Sequence, residues 1–193
     1  MKTFDEYVAI AERAHGHMCA GQILGLRLAM YGVKLLGLDD PAGKDRKRIV
    51  TYVEIDRCAT DAVSVVTGCR LGKRALKFRD FGKVAATFCD LQDNRAVRVV
   101  ALDSSKQRAK EMHPEIENKD QQQITSYGEM PDEELFSHQW VRVRVEPEDM
   151  PGFKGARVVC DACHESINFR RELRVDGRTL CRACAGERYY EAL

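Results

Sequence analysis

Apolar residues recur at helical spacing over residues 3–14, where Phe4, Tyr7, Val8 and Ile10–Ala11 form one stripe. The segment reads as a short amphipathic helix. A loop, HGHMCAG, interrupts at residues 15–21, and a second helix is expected from about Gly21 to Leu36. Its small residues Gly21, Gly25, Ala29 and Gly32 fall at spacings of four, four and three, a flat face suited to close packing against another backbone. Gly37 and the DDPAG stretch end it. Residues 48–55, RIVTYVEI, alternate and are β-branched, so they read as a strand. ATDAVSVVTG then predicts a short helix closed by Gly68. Residues 83–91 and 95–102 predict a hairpin joined at Gln92–Asp93–Asn94. Residues 104–117 are helix-like, and 118–134 are polar with no strong pattern. HQWVRVRVE alternates cleanly, with Val141, Val143 and Val145 on one face and Arg142 and Arg144 on the other. EPEDMPGFKGA has two prolines and two glycines and reads as a linker.

Helices and strands mix without a regular βαβ rhythm, so the expected class is α+β. The expected organisation is a core domain over residues 1–147, with an antiparallel sheet and packed helices. A linker over 148–156 and a small finger over 157–193 follow.

Hydrophobic residues make up 44% of the chain and charged residues 32%, enough apolar material for one sizeable core. The formal net charge of +1 implies no polyanion partner. No apolar run is long enough to span a membrane. The N-terminus carries Asp5, Glu6 and Glu12 and no signal-type apolar region, so a cytoplasmic location is expected. In a reducing compartment, eight cysteines point to metal binding or thiol chemistry rather than disulfides. Four are spread between residues 19 and 89, and four lie between 160 and 184.

The second group is Cys160-x2-Cys163-x17-Cys181-x2-Cys184, the spacing of a structural zinc site. Each CxxC turn presents two thiolates on one side of a tight knuckle, and two knuckles make a tetrahedron. Between them RELRVDGRTL offers a hairpin turn at Asp176–Gly177, and AGERYYEAL after Cys184 is helix-forming. Knuckle, hairpin, then helix is the order of a treble-clef finger. Four thiolates leave no open position, so this zinc is expected to be structural. His164 is expected at the surface or beside the ligands. Residues 154–191 hold eight Lys/Arg against six Asp/Glu, too small a surplus for a phosphate-binding face.

His15-x-His17-x-Cys19 places three potential ligands at alternate positions just before a helix. In an extended loop alternate side chains share a face, and imidazole with thiolate suits zinc, iron or copper. On spacing alone this reads equally as structural histidines with a buried thiol. Cys58 lies just past a strand end, and Asp61, one turn beyond it, is placed to orient a ligand histidine. Cys69 reads as a ligand or a buried small hydrophobe, and Cys89 as core packing. His113 and His138 are isolated. Lys73, Arg74, Lys77, Arg79 and Lys83 form a basic run that reads first as a solvated face, otherwise as a seat for an anionic group.

HGHMCAG with the following GQILGLRLAM, and the block VEIDRCATDAVSVVTGCRLGKRALKFRDFGKVAATF, resemble FmdE, the E-subunit family of formylmethanofuran dehydrogenase. The matching residues in the second block are Glu54, Cys58, Asp61, Thr67–Gly68–Cys69 and Asp80–Phe81–Gly82–Lys83. The resemblance covers residues 4–145, and Ala20 departs from it, since many members have Pro there. It implies an α+β core, a homodimer and a metal-binding cleft. In that cleft His17, Cys19 and Cys58 are expected to converge on a metal, with His15 either a fourth ligand or a partner beside the ligands. The small-residue helix over residues 21–36 is expected near or under the contact between copies. Zinc is expected in the finger and a second metal in the core.

Two classes of function follow. One is a metal-binding subunit or accessory of a molybdenum- or tungsten-type redox system, with a protein partner in that complex. The other is a non-catalytic zinc-finger regulator that contacts protein or nucleic acid. No nucleotide-binding glycine loop or serine nucleophile elbow is present.

Overall fold

Thr3 starts the first helix, α1 (Phe4–His15), through a capping box. The Glu6 N–H donates to Thr3 Oγ1, and the Thr3 N–H donates to the Glu6 carboxylate. Tyr7 and Ala11 are buried, and Gly16 closes the helix in the left-handed region (φ 90°). That turn sends the chain into α2 (Ala20–Leu36), whose residues Leu26, Leu28, Ala29 and Val33 are almost wholly buried. A helix apolar around most of its circumference belongs at the centre of a domain, and α2 is the central helix here. The computed structural model describes residues 1–191, which divide into two compact units, the first being Met1–Arg144.

The remaining elements of this unit are β1 (Ile49–Val53), α3 (Cys58–Thr67), β2 (Leu76–Phe78), β3 (Ala85–Asp90), β4 (Arg95–Ala101), α4 (Ser104–Met112), α5 (Lys119–Glu129), α6 (Asp132–Leu135) and β5 (Phe136–Val141). The five strands form one sheet in the order β2-β1-β3-β4-β5. Pairing is antiparallel except between β1 and β2. Ile49, Val53, Phe88, Val97 and Val99 point from the sheet into the main core with α2 and α3. Val50, Cys89 and Ala96 form a smaller cluster on the opposite face, the alternation expected of strands.

The small-residue face of α2 is used within the chain. A Cβ on Gly25 would stand 2.5 Å from the Ala59 carbonyl oxygen and 2.8 Å from the Ala62 Cβ. A Cβ on Gly32 would meet the Phe88 ring at 2.2 Å. The glycines therefore let α2 pack directly on α3 and on β3, and that face is not a surface offered to a second copy.

Residues 118–134, which carry no hydrophobic period, fold as α5 and α6. The buried positions of α5 are Gln122, Ser126 and Tyr127, so its inward face is largely polar. Gln122 Nε2 donates to the His113 and Ile116 carbonyls, and Ser126 Oγ donates to that of Ala109. Arg27 on α2 completes the attachment. Its guanidinium donates to the carbonyls of Tyr127, Gly128 and Met130 and to Asp132 Oδ1, at 2.7–2.8 Å. One side chain thus satisfies the carbonyls that the end of α5 leaves open. Three other expectations shift. The helix expected over 104–117 stops at Met112, β2 lies inside the basic run, and the last strand ends at Val141 although the alternation continues to Val145.

Gly25→Ala should test the contact between α2 and α3. Replacing a helical Gly by Ala favours the helix by about 1 kcal/mol. The new methyl, however, meets backbone atoms that cannot swing aside, a cost of about 1–3 kcal/mol. We expect net destabilisation in urea unfolding; an unchanged or raised midpoint would show that the contact relaxes.

Candidate metal centre

The second unit, Val145–Leu193, contains the cysteine-rich finger. It is built from two ribbons, β6 (Val158–Val159) with β7 (Ser166–Ile167) and β8 (Leu173–Val175) with β9 (Arg178–Leu180). Asp176 and Gly177 (φ 48° and 76°) make the tight turn of the second ribbon, both in the left-handed region that such a two-residue hairpin requires. A cysteine knuckle adjoins each ribbon. Asp161 ties the first knuckle to β9: its N–H donates to the Thr179 carbonyl, and its carboxylate accepts from the Thr179 N–H.

The sulfurs of Cys160, Cys163, Cys181 and Cys184 all lie within 4.8 Å of one another. Cys163 and Cys181 Sγ are 3.9 Å apart. A tetrahedron with zinc–sulfur bonds of about 2.3 Å has edges of about 3.8 Å, so this set fits a zinc ion. Backbone N–H groups of Cys163 and Cys181 point at the Cys160 sulfur and bring its pKa down to about 6. That favours the thiolate a metal needs. Beyond the ligands, among the described residues this finger buries only Ile167 and Leu180 in its apolar cluster with Cys160. The segment after Cys184 differs from the expected helix: residues 182–186 form a turn and no helix follows among the described residues.

The core group is assembled from three elements. His15 ends α1, His17 lies in the loop beyond Gly16, and Cys19 is the N-cap of α2. One donor atom from each of the three lies within 4.8 Å of the others, and the two imidazole rings are 4.8 Å apart. Cys58, first residue of α3, is outside that group but beside it, its thiol against that of Cys19. Burial, then the neighbouring Cys19 thiol, push the Cys58 thiol up. His15 Nδ1 lies 3.1 Å from Asp61 Oδ2. A carboxylate there fixes the proton on Nδ1 and leaves Nε2 free to bind a metal.

Other candidates fall elsewhere. Cys69 is buried beneath β1, accepting from Thr51 Oγ1 at 3.5 Å and facing the Ile49 carbonyl. Cys89 belongs to the far-face cluster, and burial pushes its thiol up to about 12. His113 bridges Glu115 and Glu129, and His138 meets the Tyr31 hydroxyl. His164 is exposed and outside the four-cysteine group.

A cavity of about 720 Å³ opens beside the core group, with His17, Cys19 and Cys58 in its wall. That is the size of a small-molecule site. Two residues at this cavity carry no signal in the spacing of the candidate ligands. Asp120 on α5 lines it, accepts from the Ala20 N–H and so caps the start of α2. Gln22 lies just behind the wall, fully buried, and its Nε2 donates to the Cys58 carbonyl at 2.8 Å, tying α2 to the start of α3. Asn118 at the N-cap of α5, with Asp120 in its first turn, was the available helix-start signal. Three nitrogen and sulfur donors, with a fourth thiol alongside, have the chemistry that would suit zinc or another borderline-soft ion.

A family model described as FmdE, molybdenum formylmethanofuran dehydrogenase operon, matches residues 14–137. A second, the prokaryotic dksA/traR C4-type zinc finger, matches residues 154–190. A probable S-adenosyl-L-methionine-binding protein of Archaeoglobus fulgidus is 32% identical over 202 residues, which is 93% of this chain and 52% of that protein. The chain therefore spans about half the length of that relative. The crystal structure of a tungsten formylmethanofuran dehydrogenase FmdE-like protein from Syntrophus aciditrophicus superposes with a TM-score of 0.64. The match covers 98% of this chain and 96% of that one at 22% identity, a shared fold.

Removing zinc should unfold the finger alone, because its metal stands in for a core. After chelation, or in acid that protonates the thiolates, hydrogen exchange should rise across residues 157–191 and stay unchanged over Met1–Arg144. Persistent protection of 157–191 in verified zinc-free protein would refute this.

Proposed function

The chain belongs to the FmdE family, and from that membership we propose that it is a metal-binding subunit or accessory of a molybdenum- or tungsten-type redox system. In this reading the core holds a second metal, and the C4 zinc finger contacts a protein partner. The observation that carries it is the convergence of His15, His17 and Cys19 on one point, with Cys58 alongside and an open cavity in front. His15, His17 and Cys19 hold the ion, and Cys58 is the reserve thiolate. Asp61 orients His15. A metal there supplies Lewis acidity or a bound water of lowered pKa. The protein's own residues supply the rest. Leu24 and Val84 exclude water from one wall, and Asp120 and Gln22 hold the two helix starts in place.

A second reading is favoured by the Archaeoglobus relative, whose description names S-adenosyl-L-methionine binding. The cavity is large enough for a molecule of that class. Equilibrium dialysis with S-adenosyl-L-methionine, with and without core metal, separates the two. The homodimer is likewise proposed, on family resemblance, and light scattering at twice the 21.9 kDa chain mass would support it.

Metal analysis of anaerobically purified protein should give two ions per chain, and Cys19→Ala should lose one while keeping the finger zinc. One zinc in the native protein, or two in the variant, would remove the core site. Asp61→Ala should weaken the core metal by about 10–100-fold in chelator competition. The finger zinc should not change.

A further inference from the structure

The cavity at the core group does not end at the thiols. Leu24, Gly82 and Val84 line it and also line a second cavity of about 290 Å³, whose wall carries Lys83, Asp103 and Lys106. The shared wall makes these two compartments of one trough, polar at both ends and apolar between.

Lys83 is presented on fixed backbone. Its N–H and that of Phe81 both donate to the Glu54 carbonyl at 3.2 Å, and the Ala85 N–H donates back to the Lys83 carbonyl at 2.8 Å. Glu54 is itself immobilised, nearly buried, with both carboxylate oxygens 2.7 Å from the Arg98 guanidinium. The carboxylates nearest the trough are mostly engaged. Asp103 takes Lys106 Nζ at 2.7 Å, and Asp120 takes the Ala20 N–H. Asp56 stands beside Arg57 at the thiol end. Among the described residues Lys83 has no carboxylate within salt-bridge reach. A lysine on fixed backbone without a counter-charge, across an apolar wall from metal-binding groups, is a seat for an anion.

Resting on the reading of a core metal, we propose that the trough takes an elongated anionic molecule. A metal-binding group sits at the Cys19 end, an apolar middle lies against Leu24 and Val84, and a carboxylate or phosphate meets Lys83.

The test uses the full-length protein with its metal content measured beforehand. Binding of ω-mercaptoalkanoates, ω-mercaptoalkyl phosphates and uncharged ω-mercaptoalkanols of matched length is followed by calorimetry. A charged tail should bind about tenfold tighter than the alcohol at one preferred chain length, as one charge-assisted contact implies. The better of carboxylate and phosphate identifies the natural group. Lys83→Met should abolish the preference and Lys83→Arg retain it, both at unchanged metal content. Equal affinity for charged and neutral tails, or a preference that survives Lys83→Met, overturns the proposal. Protein with a single metal per chain overturns the core-metal reading and this one together; two metals without a charge preference overturn only this one.

Discussion

The closeness of α2 to α3 governs the rest of the core unit. At Gly25 the two helices approach until no Cβ fits between them, with the Ala59 carbonyl and the Ala62 methyl filling the space. One turn earlier, Gly21 lies against the Cys58 Cβ and near the Cys19 sulfur. Both helices therefore begin at the same place, and each begins with a cysteine. Neither N-cap is satisfied by its own side chain. The cavity consequently faces two helix starts, where the helix dipole favours negative charge. Thiolates, metal-bound anions and anionic ligands all gain from that field. A residue larger than Gly at position 25 would open the angle between the helices and separate the two thiols.

Much of this arrangement was legible in the chain. The apolar stripe of α1, the hairpin at residues 92–94 and the four-cysteine spacing of the finger are local signals, and local physics decides them. The small-residue face of α2 was legible as a packing face, but its partner was not. A stripe of glycines says that something approaches closely, not whether the visitor belongs to the same chain. The spacing of His15, His17 and Cys19 showed one side of the core group, and Cys58 and Asp61 were candidates for the other. Which other residues reach it depends on how α3 packs, and that is set by contacts from Ala59 and Ala62 far along the sequence.

The polar segment over residues 118–134 shows why hydrophobic periodicity can fail. The inner face of α5 carries Gln122 and Ser126, and both are paired to backbone carbonyls of preceding residues. Hydrogen bonds replace apolar burial there, so the hydrophobic period vanishes although the helix persists. Arg27 extends the same principle. It lies in a helix whose neighbours are nearly all apolar, and four acceptors between the end of α5 and the start of α6 account for it. Asp120 reaches the cavity beside Cys19 because α5 is held in this way.

The two cysteine sites consequently differ in how binding free energy is distributed. In the finger, ordering the ligands and folding the chain are one event, because Ile167 and Leu180 alone cannot hold the ribbons together. In the core, α1, α2 and α3 are packed around Leu26, Leu28 and Val66. His15 is already oriented by Asp61 and Cys58 is already tied to Gln22. A site prepared in this manner spends little of its binding energy on ordering protein. For the proposed core metal, that would leave the affinity to the donors themselves, beside an open cavity. A closed set of four thiolates serves structure, whereas a set held by the surrounding fold and open on one side can exchange what it binds.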